Sequence, residues 1–189
     1  LDNSRQFRAL QKQVKANALR FSQQMENQGF RIPFGGTDTH LFNLDCKSVI
    51  GPDNTPLMGE VASRLLDITG IVVNRNTIPG DKGALNPSGL RLGTVWITQR
   101  GFRATEIDEL AGLTAELLRA CRPYADHSYS RKMLYRAKVD FEVLNDVRVR
   151  VRDLAERAGI DFEAATHGYP HFYYIDEAAP TTHGDQDER

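Results

Sequence analysis

The charged side chain with the clearest chemical potential lies in the segment SGLRLGT at residues 88–94. Arg91 stands among apolar neighbours at the start of a predicted strand, behind a long loop. A guanidinium group in a half-buried strand needs a partner, because an unpaired buried charge is costly. Its planar fork matches a carboxylate in two parallel hydrogen bonds. From the residues alone we favour a structural salt bridge with one of the 25 acidic residues, with the carboxylate of a ligand as the alternative.

Two asparagines open the long loop that precedes Arg91. Asn74 and Asn76 flank Arg75, and each amide offers both a donor and an acceptor. That combination suits the edge of a heterocyclic ligand. Asparagine is also common in turns for local reasons, and on the residues alone the turn is the favoured interpretation.

A second polar segment, GGTDTH at residues 35–40, joins two apparent strands. We expect a tight turn in which the Asp38 side chain bonds nearby backbone N–H groups. A catalytic pair formed by Asp38 and His40 is the less favoured alternative.

The remaining polar residues favour structural roles. His167 and His171 have the spacing of a metal pair on a helix, but Gly168 and Pro170 interrupt any helix there, so we predict no metal site. Arg100 has the same two interpretations as Arg91, and the structural one is preferred. A mild basic cluster is interrupted by acidic residues and indicates a solvated helix face rather than a phosphate track. Its members are Arg131, Lys132, Arg136, Lys138, Arg148, Arg150 and Arg152.

Composition excludes several classes of protein. The chain has 189 residues, with 24 Lys+Arg against 25 Asp+Glu, and this balance argues against a general nucleic-acid or membrane-surface binder. Cys46 and Cys121 are too few for a disulfide scaffold or a cysteine-only zinc site. The sequence contains no Walker loop, no GxGxxG after a strand, no HExxH and no nucleophile elbow. With no apolar run long enough to span a membrane, we expect a soluble cytoplasmic protein.

Helices and short strands must position these residues. Periodicity predicts strands over 40–46, 71–73 and 90–97, with a loop over 74–87. A linker is predicted over 121–130. The predicted helices cover 5–28, 59–69, 105–120 and 132–158, although the alternation at 139–143 leaves a strand possible within the last. Thr105 and Asp108 have the spacing of a capping box. The order of elements indicates a two-layer α/β sandwich, a small, mostly antiparallel sheet covered by helices.

Three segments together resemble the C-terminal domain of serine hydroxymethyltransferase, a pyridoxal-phosphate enzyme of the aspartate-aminotransferase superfamily. They are GGTDTHLFNLD at 35–45, GIVVNRNTIPGD at 70–81 and NPSGLRLGTVWITQRGF at 86–102. They occur in the family's order and with nearly its spacing, over roughly residues 5–120. Several motifs in register are far more specific than any one of them.

The resemblance implies the small domain of the family's fold and the interconversion of serine and glycine, with a one-carbon unit passed to or from tetrahydrofolate. Arg91 matches the family's arginine for the substrate carboxylate, and Asn76 matches its asparagine for the pterin. Pyridoxal phosphate would be held mainly by a large domain, because nothing in this sequence matches the family's Schiff-base lysine motif. No catalytic residue is therefore expected on this chain. The implied partners are the amino-acid substrate, that large domain and further subunits of a homodimer or homotetramer.

The sequence also departs from the family. Asn86-Pro87 replaces the usual bacterial Val-Thr, which leaves a different reduced pterin open. A pterin-independent threonine-type aldolase or transaldolase and a stand-alone non-catalytic domain are the alternatives. Because the chain starts at Leu1 rather than Met, we expect a piece of a longer protein. We divide it into a small domain over 1–120, a helical C-terminal extension over 121–174 and a disordered tail over 175–189.

Overall fold

The computed structural model describes residues 4–126 and 133–158. Within them lie five strands and five α-helices, in the following order. The elements are α1 (Ser4–Asn27), β1 (Leu41–Asp45), α2 (Gly59–Ile68), β2 (Asn74–Asn76), β3 (Gly89–Gly93), α3 (Val95–Gln99), α4 (Ala104–Ala120), β4 (Arg122–Asp126), β5 (Leu134–Lys138) and α5 (Phe141–Arg157). A single 3₁₀ turn, Cys46–Ser48, follows β1.

The first three strands form an antiparallel sheet in the order β1-β3-β2, with β3 at its centre. Side chains alternate along β3, so that Leu90 and Leu92 are buried while Arg91 is exposed. Alternation on β1 likewise buries Phe42 and Leu44. One face of the sheet is therefore apolar and packed, and the opposite face is polar and exposed to solvent around Arg91 and Asn74.

Helices α1, α2, α4 and α5 contribute to the buried cluster on the apolar face. Phe21 of α1 meets Phe42 of β1 edge to face, with 5.2 Å between ring centroids. Spacings of three and four residues predict an apolar face on each of α1 and α4. The predicted residues of α4 are all buried: Ile107, Leu110, Leu113, Leu117 and Leu118. Those of α1 are Phe7, Leu10, Val14, Ala18, Phe21 and Met25, and all are buried except Phe7, which is 53% exposed. Gly29 and Gly70 adopt positive φ at the ends of α1 and α2, as their positions predict. The two-layer α/β class with an antiparallel sheet is confirmed.

Two predicted strands are wrong in extent. Residues 71–73 are irregular, and the edge strand starts at Asn74, inside the predicted loop. The strand predicted over 90–97 ends at Gly93, and Val95–Gln99 is a short helix. The Thr94 hydroxyl donates to the Val14 carbonyl oxygen of α1 at 2.8 Å. This bond holds the turn after β3 against α1. Tertiary contacts of this kind override the local β preference of Val-Trp-Ile.

The C-terminal half also differs from expectation. The predicted linker over 121–130 contains β4, and the helix predicted over 132–158 is β5 followed by α5. β4 and β5 form an antiparallel hairpin. Helix α5 cannot start earlier because Asp140 caps it, accepting the Glu142 N–H at 2.8 Å. The strand considered at 139–143 is therefore wrong. The sequence predicts an apolar stripe of Leu144, Val147, Val151 and Leu154 on this helix, and all of them are buried except Leu144, which is half-buried.

The capping arrangement of α4 lies two residues before the predicted one. The backbone N–H of Arg103 donates to the Glu106 carboxylate at 2.8 Å. Asp108 instead pairs with Arg20 of α1. Glu106 thus makes the side-chain contact to the N-cap backbone that a capping box requires. Asp108 links α4 to α1.

Both cysteines are buried free thiols. Burial raises the pKa of the Cys121 thiol to about 12, and burial with the nearby Asp45 charge raises that of Cys46 still further. Burial therefore disfavours the thiolate form of both side chains. No helix in the described ranges is long and apolar enough to cross a membrane. His167, His171 and the tail over 175–189 lie outside the described residues.

Candidate functional site

The open side of the sheet carries a group of polar side chains that we call the polar face: Asn43, Asn74, Asn76 and Arg91. Register places Asn43 of β1 and Asn74 of β2 directly opposite Arg91, one on each side. Asn76 lies opposite Gly89, the next position of β3 that shares this face. Period-two alternation on three short strands thus brings an arginine and three amides together.

Arg91 occupies the centre of the polar face. Its Nη2 atom donates to Asn74 Oδ1 at 3.4 Å. Among the described side chains, no carboxylate oxygen lies within 4.0 Å of its guanidinium nitrogens, whereas many other arginines of the chain have such a partner. The salt bridge that the sequence favoured for Arg91 is therefore absent from residues 4–126 and 133–158. Most of the N–H donors of its guanidinium group are available to a ligand.

Asn76 ends the edge strand β2 and is half-buried. Its Nδ2 atom donates to Asn43 Oδ1 at 3.2 Å and to the Thr77 carbonyl oxygen at 3.0 Å. The residue is thus held by strand pairing and by two side-chain bonds. The turn that sequence reasoning favoured for it is wrong, because its backbone belongs to the sheet.

The loop after Asn76 is closed by one carboxylate. Asp81 accepts the backbone N–H groups of Ile78 and Ser88, each at 3.0 Å, and also the Ser88 hydroxyl. Burial alone would raise the pKa of the Asp81 carboxyl, but the Ser88 and Ile78 bonds and the Lys47 charge hold it below its ordinary value. Residues 82–86 at the loop tip are exposed. Asp81 thereby fixes the two ends of the loop beside the polar face.

Lys47 links this anchor to the end of β1. Its Nζ atom donates to the Ser88 hydroxyl at 2.8 Å and lies 3.4 Å from the Asp81 carboxylate. Asp45 in turn pairs with Arg31 at 2.7 Å and caps the 3₁₀ turn through the Lys47 N–H. The buried charges here are paired and hydrogen-bonded, which is the condition under which burial is tolerated.

The GGTDTH segment forms the predicted turn through different side chains. The Thr37 hydroxyl accepts the Thr39 N–H at 3.0 Å, whereas Asp38 was expected to provide such bonds. Asp38 and His40 are both exposed. The turn lines an open cavity of about 500 Å³ that extends to Asn43. The favoured turn is confirmed, with Thr37 in place of Asp38.

Comparison with known proteins decides the family. The family model described as serine hydroxymethyltransferase matches residues 2–114, more than half of the chain. The chain belongs to the serine hydroxymethyltransferase family. Arg91, Asn76 and the Asp81 loop all lie within the matched range.

Individual serine hydroxymethyltransferases give the same result. The chain is 42% identical to that of Bombyx mori over 56% of its length and 41% identical to that of Alkalilimnicola ehrlichii over 60%. It is 34% identical to that of Chlamydia caviae over 154 residues, or 80% of this chain. An alignment of that length must extend past residue 120, into the segment where the sequence resemblance ended. The chain spans only 21% to 29% of the length of these relatives.

Arg100 and the basic cluster take structural positions in this member of the serine hydroxymethyltransferase family. Arg100 Nη2 lies 3.5 Å from the Ala155 carbonyl oxygen of α5, and burial lowers the pKa of its guanidinium group. Arg150 bonds both Glu116 and Asp146. Arg136 pairs with Asp126. These contacts agree with a solvated, paired surface; Arg131 and Lys132 lie outside the described residues.

The polar face does not fit pyridoxal phosphate by itself. None of its three strands contains a lysine, and Lys47 is engaged by Ser88 and Asp81. These three strands therefore offer no amine on that face to hold the cofactor. The described residues also contain no cluster of three or more potential metal ligands among His, Cys, Asp and Glu.

Sequence reasoning missed Asn43, Asn74 as a partner of Arg91, and the Asp81 anchor. Asn43 had a usable signal, because the alternation over 40–46 already places it on the outer side of a strand. The Asp81 anchor had none, because its partners are seven or more residues away or belong to the backbone.

Proposed function

We propose that this chain is the C-terminal domain of a pyridoxal-phosphate-dependent serine/glycine hydroxymethyltransferase. The intact enzyme would interconvert serine and glycine and exchange a one-carbon unit with tetrahydrofolate or a related reduced pterin. The observation that carries the proposal is the guanidinium of Arg91, which lies at the centre of the polar face with no carboxylate beside it in the described part of the chain.

Arg91 is proposed to bind the α-carboxylate of the amino acid. A fork-to-fork pair fixes both position and orientation, and a fixed orientation is what a reaction at the adjacent carbon needs. Asn74 restrains the guanidinium from one side through the 3.4 Å contact, which reduces the freedom lost on binding. Arg91 acts by binding, and no proton transfer is assigned to it.

Asn76 is proposed to contact the pterin. It lies opposite Gly89, two residues from Arg91 along β3, so both ligands would meet the same end of the sheet. The loop fixed by Asp81 adjoins it and would form one wall of the pterin site.

Pyridoxal phosphate would supply the electron sink for the reaction. Residues outside the given sequence, in a large domain, would hold it. The proposed partners are that large domain and a second subunit, in a cytoplasmic homodimer or homotetramer. No step of the chemistry is assigned to residues described here beyond the binding of the two substrates.

The test uses the intact enzyme that contains this domain. Arg91→Ala and Arg91→Lys are expected to weaken glycine and serine binding by roughly 10- to 100-fold, the value of one or two charge-assisted hydrogen bonds. Asn76→Ala should weaken pterin binding more than glycine binding. Arg64→Ala removes a surface guanidinium that pairs with Glu60 of the same helix and should leave both affinities unchanged.

Unchanged amino-acid affinity in Arg91→Ala would contradict the assignment. Threonine or phenylserine cleavage is measured in parallel, with and without tetrahydrofolate. Cleavage without any pterin-dependent serine formation would identify the aldolase or transaldolase instead. An intact protein that neither binds an amino acid nor turns one over would be the non-catalytic domain.

A further inference from the structure

The orientation of the Asn76 amide follows from one backbone contact. The carbonyl oxygen of Thr77 can only accept a hydrogen bond, so the Asn76 atom that lies 3.0 Å from it must be the amide nitrogen. The same nitrogen has its second hydrogen directed at Asn43, at 3.2 Å. Both hydrogens of the Asn76 amide are therefore used within the protein.

The Asn43 amide is oriented in turn. Because Asn76 approaches it with a donor, Asn43 must present its oxygen, which leaves its own Nδ2 group outside the pair. In the part of the chain that the structure describes, neither Asn43 Nδ2 nor Asn76 Oδ1 takes part in a side-chain hydrogen bond. The two amides together keep one donor and one acceptor available on the polar face.

The pair spans the central strand. Asn43 and Asn76 belong to β1 and β2, which are separated by β3, so their side chains meet across it. Asn76 lies opposite Gly89 of β3, and Asn43 lies opposite Arg91, the next β3 position on this face, so the two amides meet diagonally. Asn43 is half-buried and also lines the open cavity of about 500 Å³ beside the GGTDTH turn.

We propose that Asn43 is a second pterin-binding residue, and that Asn43 and Asn76 act as one donor–acceptor pair. Asn76 accepts from the ligand through Oδ1, and Asn43 donates to it through Nδ2. The inference rests on the proposed function and deepens it, because Asn76 by itself has no donor left to offer.

The chemistry of a reduced pterin fits such a pair. Its partly saturated ring carries N–H groups, and its pyrimidine ring keeps an unprotonated nitrogen, so one edge presents a donor and an acceptor separated by a single carbon. Two amides with opposite free groups match that edge. A site built from buried or half-buried polar groups discriminates against a ligand that leaves one of them unpaired.

The experiment measures pterin and glycine dissociation constants of the intact enzyme by calorimetry, so that the readout does not depend on turnover. Asn43→Ala is expected to weaken binding of the reduced pterin about 3- to 10-fold, the range for one neutral hydrogen bond, and to leave glycine affinity within about twofold. Asn74→Ala is the matched variant, since it flanks Arg91 from the other strand. It should weaken glycine binding and spare the pterin. Asn43→Leu, closer in size, replaces Asn43→Ala if that variant does not fold.

A pterin analogue with C–H in place of the acceptor ring nitrogen tests the contact directly. It should bind the wild-type enzyme more weakly, and Asn43→Ala should lose no further affinity for it. Unchanged pterin affinity in Asn43→Ala, or an equal loss for pterin and glycine, overturns the role of Asn43. If the wild-type enzyme and Asn76→Ala behave as proposed while Asn43→Ala does not, only this inference fails. A wild-type enzyme that binds no pterin overturns both.

Discussion

Gly89 decides what can be placed on the polar face. A methyl group added there would clash with Ile78 Cγ2 and come within 2.8 Å of the Asn76 carbonyl oxygen. Gly89→Ala should therefore force β2 and Ile78 outward and lower the free energy of unfolding by about 1–3 kcal/mol. Thermal or denaturant unfolding of the chain measures the loss.

Gly112 provides the control for that substitution. It lies within α4, and nothing stands within 4 Å of a methyl group added there. Gly112→Ala should raise the free energy of unfolding by about 0.5–1 kcal/mol, because alanine restricts the unfolded chain and suits a helix. Equal effects of the two substitutions would show that the close approach at Gly89 carries no cost.

Individual residues could be recognised from the sequence where their type is unusual for the predicted element. Arg91 was recognisable as a charge in a strand, and family motifs gave it and Asn76 their expected roles. Asn43 was not singled out, because an asparagine in an alternating strand has an ordinary explanation. Its partner Asn76 is 33 residues away, and only the pairing of both strands with β3 brings the two amides together.

Among the elements, the loop between β2 and β3 depends most on a single group. Asp81 holds the N–H groups of Ile78 and Ser88, and its carboxyl has a lowered pKa. Asp81→Asn keeps an acceptor but loses the charge, and should cost about 1–3 kcal/mol in stability at neutral pH. It should also speed tryptic cleavage after the exposed Lys82, which limited proteolysis measures.

The pH dependence of that effect has a definite sign. A carboxyl whose pKa is lower in the folded protein contributes stability that is present above its ordinary pKa, near 3.8, and is lost as the pH falls through the folded value. The difference in unfolding free energy between wild type and Asp81→Asn should therefore shrink below about pH 4. A difference that grows in acid would contradict the anchoring role.

The long helices α1 and α4 were predicted from sequence more reliably than the strands, and the reason is physical. The stripes of α1 and α4 repeat over many residues, so the period survives one exception such as Phe7. The strands here are three to five residues long, too short for a period of two to fix their ends. The turn at Thr94 depends on Val14, 80 residues earlier, and no local pattern contains that information.

For the whole molecule, the open question is where the folding unit ends. The predicted boundary at residue 120 falls between α4 and the hairpin. Yet Val147, Val151 and Leu154 of α5 belong to the same buried cluster as the apolar side of the sheet. Gly51 lies so close to the Pro123 carbonyl group that no larger residue fits. We therefore expect residues 4–158 to unfold together.

Leu154→Ala tests that expectation in the 189-residue chain. Leu154 is 1% exposed, so its truncation should lower the free energy of unfolding by about 2–5 kcal/mol. If α5 belongs to one cooperative unit, the fluorescence of Trp96, the single tryptophan, and the circular dichroism of all helices should shift by the same amount. Phe141→Ala, at a 76% exposed position of the same helix, should change stability by less than about 0.5 kcal/mol. Two separate transitions, with Trp96 unaffected by Leu154→Ala, would place a domain boundary near residue 120 after all.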